Sequence, residues 1–260
     1  MSHLLRDLAA RPVIGHRGAA GHAPENTIPS FLLGIEQGAD AIELDVRITA
    51  DGVPVVLHDP TLDRTTNLRG PVSSLTLAQL RDADAGWRFS PDRGRTFPWR
   101  RQGVGVPTLA EVLVAVGSFP VLIEIKTPLA SAAVLRVLQD ASATDRCVVA
   151  SAHIAALEPF RGPPFTIGAS AAESTLLFRN ALLGTKPAPV RYHALFLPYR
   201  RWGLIIPSPR FVRVARDLGC PMHVWTVNDV TLARRFWSAG VCGIVTDTPG
   251  SIRVARDAER

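Results

Sequence analysis

The sequence predicts an α/β fold of the (β/α)8 barrel type with an insertion after the second strand. Three observations carry this. Short apolar runs alternate with amphipathic helical stretches along most of the chain, eight such runs remain once one is set aside as a hairpin arm, and no G-x-G-x-x-G follows the first run. Alternation of this kind means parallel strands joined by crossover helices. The count suits a closed barrel, and the missing glycine pattern counts against an open dinucleotide-binding sheet. At 260 residues the chain has the usual size of one such barrel, so residues 1–260 are read as a single domain.

The strand candidates, in order, are 12–16, 41–49, 53–58, 121–126, 147–151, 166–169, 194–197, 222–227 and 243–246, with 53–58 as the extra arm. Between the first two, Ile28, Phe31, Leu32 and Ile35 recur at the i, i+3, i+4, i+7 spacing of one helix face. Thr108-x-x-Glu111 is a capping box for a helix that buries Leu109, Val112, Leu113 and Val116. Ser208-Pro209 reads as an N-cap and a first-turn proline, with Phe211, Val214, Ala215 and Leu218 on the inner face. Asn228 or Asp229 caps a later helix that turns Ala233, Phe236 and Trp237 inward. Residues 59–107 break the rhythm: turn formers dominate, with one short helix expected at 76–81. A stretch this long is functional or carries structure of its own, and it is read as an insertion above the catalytic end of the barrel.

Composition removes several classes. With 47% apolar and 20% charged residues the chain is too apolar for disorder. Its longest uncharged stretches, such as 112–123 and 236–246, fall well short of the roughly 20 residues that cross a bilayer. Arg6 and Asp7 interrupt the first apolar residues, so no secretion signal is expected and a cytoplasmic location is the default. Cys147, Cys220 and Cys242 lack metal spacing and read as small buried hydrophobes. The net charge of +6 attracts anions, but the arginines are scattered and no nucleic-acid-binding pattern is present, so no nucleic acid partner is expected. Only Lys126 and Lys186 of the 29 basic residues are lysines, which makes a lysine at a strand end stand out.

Barrel chemistry sits at the C-terminal strand ends, and several of these are charged here. Side chains alternate across a strand, so Glu43 and Asp45 share one face, as do Glu124 and Lys126. Three carboxylates converging from two strands form a hard-cation site suited to Mg²⁺ or Ca²⁺. His58 follows from hairpin geometry. A two-residue Asp51-Gly52 turn sets it opposite Asp45 and a four-residue loop sets it opposite Glu43, whereas a three-residue loop turns it away. His16 enters from the first strand. Two imidazoles beside a divalent cation suit acid–base work near neutral pH, and Arg17 and Lys126 add the fixed positive charge a phosphoryl group requires. The remaining histidines keep a structural reading.

The stretches Gly15-His16-Arg17-Gly18, Pro24-Glu25-Asn26-Thr27, Glu43-Leu44-Asp45-Val46, Val56-Leu57-His58-Asp59, Arg64-Thr65-Thr66-Asn67, Pro107-Thr108-Leu109, Glu124-Ile125-Lys126 and Trp225-Thr226-Val227-Asn228 closely resemble the glycerophosphodiester phosphodiesterase family. The last strand and its Thr246-Asp247-Thr248-Pro249 ending do so too. The resemblance implies a TIM barrel with an insertion after the second strand and hydrolysis of a small-molecule glycerophosphodiester, such as glycerophosphocholine or glycerophosphoethanolamine. Position by position it implies metal binding by Glu43, Asp45 and Glu124, acid–base catalysis by His16 and His58, and phosphate contacts from Arg17 and Lys126. Trp225 would line the glycerol side of the pocket. The middle of the chain, 165–207, matches least, and the Ser-Phe pair often found after the fourth strand is here Ser151-Ala152. Two further readings stand beside this one. A lysophospholipase D or phospholipase-type activity would use Trp202, Leu204, Ile205 and Ile206 as an apolar landing surface in peripheral contact with a membrane, although packing over the sixth strand is the simpler role for them. A non-catalytic phosphoester-binding barrel is the other.

Overall fold

The computed structural model describes residues 4–201 and 203–259. After a short turn at Leu4–Arg6, the chain runs through β1 (Val13–Gly15), α1 (Ile28–Glu36), β2 (Ala41–Ile48), β3 (Pro54–Val56), α2 (Leu77–Leu80) and α3 (Leu109–Ala115). The middle holds β4 (Val121–Ile125), α4 (Ser131–Asp140), β5 (Cys147–Ala150), α5 (Ile154–Leu157), β6 (Thr166–Ile167) and α6 (Ala171–Leu183). It closes with β7 (Leu195–Pro198), a hairpin of β8 (Arg200–Arg201) and β9 (Leu204–Ile205), α7 (Pro209–Asp217), β10 (Met222–Trp225), α8 (Val230–Ser238), β11 (Gly243–Thr246) and α9 (Pro249–Asp257).

The strands pair in the order β6-β5-β4-β2-β1-β11-β10-β7, with every neighbouring pair parallel. A parallel bridge between Gly168 and Ala194, flanked by bonds from His193 N to Ile167 O and from Ala169 N to Ala194 O (each 2.9 Å), joins the two ends. The sheet is therefore the expected (β/α)8 barrel, and β3 lies antiparallel on β2 as an added arm. Outward residues such as Ile42, Leu44, Val46 and Ile123 pack with the helices into the main core. Inside, Ile14, Ala41, Leu122, Val148 and Val245 make an apolar lower layer closed off below by Leu5. Residues past β3 form a satellite cluster around Val55, Leu62, Val72, Leu80 and Val106. All three cysteines are buried, and burial pushes the Cys147 thiol up to about 12.

Two details differ from the sequence reading. On α1, Leu32 is 45% exposed, while Phe31, Ser30 and Gly34 are buried. The helix turns its small residues, not a fourth apolar one, toward the loop after β1, because the backbone of Gly18 packs directly on Ser30 and Gly34. The second difference is the β2–β3 register. Val46 faces Val56 and Ile48 faces Pro54, so the loop has three residues, not two or four. Asp51 accepts from the Thr49 hydroxyl (2.6 Å), Gly52 N bonds Thr49 O (3.1 Å) and Gly52 takes a φ of +78°, the usual form of a three-residue hairpin turn. Strand alternation alone would then turn His58 away from the carboxylates. It reaches them because the ladder ends with Leu57 N on Asp45 O (3.0 Å) and the chain bends, its new course held by Arg47 Nε donating to His58 O (2.7 Å).

Candidate active site

The charged residues begin where the apolar layer inside the barrel ends. Glu43 sits above Ala41 on β2, and Glu124 sits above Leu122 on β4. The parallel register pairs Asp45 with Glu124. Carboxylate oxygens of Glu43, Asp45 and Glu124 lie within 4.8 Å of one another, with the first two residues buried. His16, Arg17, His58 and Lys126 line the same cleft, about 490 Å³ counted to its open mouth, and Trp225 stands at its side. The structure thus brings together all eight residues singled out from the sequence.

Local folding explains how the loop after β1 reaches in. Gly15 and Gly18 are both required. A Cβ on Gly15 would lie 2.6 Å from Gly18 O, and one on Gly18, whose φ is +88°, would lie 2.4 Å from Ser30 C. Between them Arg17 takes a left-handed φ of +50°, a conformation that bulky residues seldom adopt unless their surroundings hold them there. Here the Ser30 hydroxyl donates to Arg17 O (2.9 Å), and Arg17 N donates to Glu43 Oε2 (2.9 Å).

The carboxylates differ in their partners. Asp45 forms ion pairs with Arg17 Nε (3.0 Å) and Lys126 Nζ (2.8 Å) and accepts a hydrogen bond from Asn26 Nδ2 (2.8 Å). Burial alone would raise its carboxyl, but the Lys126 and Arg17 cations outweigh that and hold it below the usual range. Glu43 has less compensation. Burial and the adjacent Asp45 charge push it up to about 7. Lys126 Nζ also bonds Glu124 Oε1 (2.8 Å), so an ammonium already sits between two of the three acids. An all-oxygen, anionic donor set, with a cation lodged in it, fits a hard divalent ion. Arg17 and Lys126 are each held by carboxylates here. Burial lowers both, and their acidic neighbours raise both by more.

Each histidine has a carboxylate behind it. His16 Nδ1 is 2.7 Å from Asp247 Oδ1, and His58 Nδ1 is 2.6 Å from Asp59 Oδ1. A carboxylate only accepts, so each Nδ1 carries the proton and Nε2 is left as the ring's other polar atom. Asp247 is fixed in turn by Asn228, which donates Nδ2–H to it (2.6 Å) and accepts from its backbone N–H (2.8 Å). Burial lowers His16, but the Asp247 bond and the Glu43 charge raise it above its ordinary value. Asp59 is shared with Arg64 (2.6 Å), and the cation draws its carboxyl down to about 2 despite partial burial. Arg64 also grips both oxygens of Glu25 (2.6 and 2.7 Å), whose Oε1 meets Arg17 Nη1 (2.7 Å). Burial would raise Glu25, yet Arg64 and Arg17 hold it low.

All six residues of this supporting ring, Glu25, Asn26, Asp59, Arg64, Asn228 and Asp247, lie in stretches that carry the family resemblance, but sequence reasoning gave none of them a role at the site. The rule that polar residues at strand ends matter would have found Asp247, directly after β11. Of the apolar loop, Trp202 lies outside the described residues, Ile205 is 56% exposed and Ile206 is half-buried. A second, larger groove of about 1620 Å³, counted to its open mouth, adjoins the cleft and shares Glu124, Ala150, Phe196 and Trp225 with it.

Known proteins similar to this chain point to one family. A model of the glycerophosphoryl diester phosphodiesterase family matches residues 16–159 and 164–251. The glycerophosphodiester phosphodiesterase of Caldanaerobacter subterraneus subsp. tengcongensis is 34% identical over 249 residues, covering 92% of this chain and 95% of the relative. Among solved structures, a phosphodiesterase of Oleispira antarctica in complex with the product sn-glycerol-3-phosphate superposes with a TM-score of 0.77 at 27% identity, covering 95% and 97% of the two chains. The glycerophosphoryl diester phosphodiesterase domain of a Mycobacterium tuberculosis protein gives a TM-score of 0.86 over 95% and 99% of the chains; at 23% identity it speaks for the fold alone.

Proposed function

The chain belongs to the glycerophosphoryl diester phosphodiesterase family, and from that premise we propose that it hydrolyses glycerophosphodiesters to glycerol 3-phosphate and an alcohol at the cleft of Glu43, Asp45 and Glu124. The observation that carries the reading is the meeting of three acids and two histidines in that one cleft. Glu43, Asp45 and Glu124 would hold a divalent cation, Mg²⁺ or Ca²⁺, which when bound supplies Lewis-acid polarisation of a phosphoryl oxygen. Arg17 and Lys126 bind and orient the phosphoryl group and oppose the charge that grows on its oxygens. Of His16 and His58, one takes the proton of the attacking hydroxyl and the other gives a proton to the departing alcohol. Asp247 and Asp59 keep both rings in the required tautomer. The attacking hydroxyl belongs to water or to the substrate's own glycerol, and both routes need an acid and a base on opposite sides of phosphorus. Trp225 borders the glycerol side. The same reading treats residues 59–107 as an insertion within one barrel domain.

Release of glycerol 3-phosphate from glycerophosphocholine by the purified protein tests it. His16→Ala and His58→Ala should each lower turnover by about 10²–10⁴-fold. Losses below tenfold at both positions would remove the two-histidine scheme. Among the described residues no helix is long and apolar enough to cross a membrane.

A further inference from the structure

We infer that Arg64 is a positioning residue for the reaction: its guanidinium spans Glu25 and Asp59, so that one group sets both Arg17, on the phosphoryl side, and His58, on the proton-transfer side. The inference rests on the phosphodiesterase reading.

The turn that carries Arg64, at the start of the insertion, is itself fixed. Thr66 N and Thr66 Oγ1 both donate to Leu62 O (3.0 and 2.9 Å), Val72 N donates to Pro60 O (3.0 Å), and Leu62 is fully buried in the satellite cluster. From there the side chain crosses to Glu25 on the loop after β1, 39 positions earlier in the chain. Its fork is used on two edges. Nε and Nη2 donate to Asp59 Oδ2 and Oδ1 (2.6 and 3.3 Å), while Nη1 and Nη2 donate to Glu25 Oε2 and Oε1 (2.6 and 2.7 Å). Each carboxylate then serves the site with one oxygen. Asp59 Oδ1 accepts from His58 Nδ1 (2.6 Å), and Glu25 Oε1 accepts from Arg17 Nη1 (2.7 Å). The series Arg17–Glu25–Arg64–Asp59–His58 is therefore continuous. It begins and ends on the cleft lining, to which Arg64 does not belong.

A planar guanidinium can hold two carboxylates in set planes, whereas an ammonium is a point charge and cannot. Without the cation, two carboxylates close enough to share it repel one another. The Arg64 side chain is 48% exposed, where an ion pair adds little stability. Its bonds matter through where Arg17 and His58 sit, since a shift of about 1 Å at a reacting group can cost up to about 10²-fold in rate. Arg81 supplies the matching comparison on the same insertion. It is 47% exposed and grips both oxygens of Glu111 (2.6 and 3.2 Å), yet neither partner lines the cleft.

Steady-state kinetics on glycerophosphocholine tests the assignment. Arg64→Ala should lower kcat/KM by about 10–100-fold, with kcat falling through His58 and KM rising through Arg17. Arg81→Ala should lose a similar amount of Tm and leave kcat/KM within about twofold. Arg64→Lys keeps the charge without the fork, so it should stay folded and recover less than about threefold of the loss. In a Glu25→Gln/Asp59→Asn background, Arg64→Ala should cost less than about threefold more, because both of its routes are already cut. Parent-like turnover by Arg64→Ala or Arg64→Lys would overturn the assignment, and the lysine variant alone decides it where the alanine variant does not fold. An undiminished loss in the doubly substituted background would also overturn it, assigning Arg64 a purely structural role. Each of these leaves the phosphodiesterase reading standing, whereas a parent inactive on every glycerophosphodiester would overturn that reading itself.

Discussion

The two halves of the barrel mouth are built from the same kind of parallel strand and end in opposite chemistry. On the side of β1, β2 and β4, the inward residues above the apolar layer are His16, Glu43, Asp45, Glu124 and Lys126, each tied to a partner by bonds of 2.7–2.9 Å. On the side of β5, β6 and β7, the corresponding wall is Ala150, Ala169 and Phe196, and a Cβ on Gly168 would lie 2.8 Å from the Phe196 ring. One half is preorganised charge and the other is apolar space. The difference teaches a division of labour. Bond cleavage needs groups fixed before the substrate arrives, whereas choice among substrates needs room and a matching solvation preference.

The largest test of that division is Asp45→Asn. Asp45 is the joint between the acids and the two cations, and it is 1% exposed. The substitution should lower turnover by about 10³-fold and stability by about 3 kcal/mol, since it breaks a buried charge network from one side. Chemical denaturation checks the second figure. An Asn variant as stable as the parent would mean that Arg17 and Lys126 are held by their other partners alone.

Next in size come the two residues behind the histidines. Asp247→Asn should lower kcat roughly 10²-fold, because an amide can offer His16 a donor where the ring needs an acceptor. Asp59→Asn should lower it less, about tenfold, because Arg64 already neutralises much of the Asp59 charge. Equal effects would erase the contrast between the two pairs.

Acid dependence gives a smaller signal. Glu25 and Asp59 have folded-state values below their unfolded ones, Asp59 at about 2. Their contribution to stability is therefore present above about pH 4 and is lost as pH falls toward 2. Arg64→Ala should lower Tm by about 1–3 °C at neutral pH, and the gap from the parent should close on acidification. A gap that stays constant down to pH 2 would assign Arg64 a packing role instead.

The smallest effect belongs to Trp225, 39% exposed at the junction of cleft and groove. Trp225→Ala should raise KM with kcat changed less than about threefold, as expected for a group that binds ground and transition states alike. Steady-state kinetics on glycerophosphocholine separates the two parameters.

The charged half was far more legible in the sequence than the apolar half. Glu43 and Asp45 share a face by strand alternation, as do Glu124 and Lys126, so the cluster follows from local periodicity. The Asp45–Glu124 register needs the sheet itself. His58 shows where local rules stop, since its hairpin is one residue longer or shorter than either expected loop and a bend returns the ring to the cleft. Leu32 shows the same limit on a helix, where close approach of Gly18 to Ser30 and Gly34 decides which face is buried. The groove left no local signal, because single residues from distant segments, among them Ala152, Phe178, Ile206 and Phe211, form its wall.

The chemistry proposed for the charged half depends on Glu43, Asp45 and Glu124 acting together on one divalent ion. The direct measurement is turnover and metal content of the same preparation, before and after chelation and on adding back Mg²⁺ or Ca²⁺, for the parent and for Glu124→Gln. The expected result is loss of both on chelation, recovery of both with one of the two ions, and failure of Glu124→Gln to recover either. Full-rate hydrolysis by metal-free protein, unchanged in Glu124→Gln, would contradict the account.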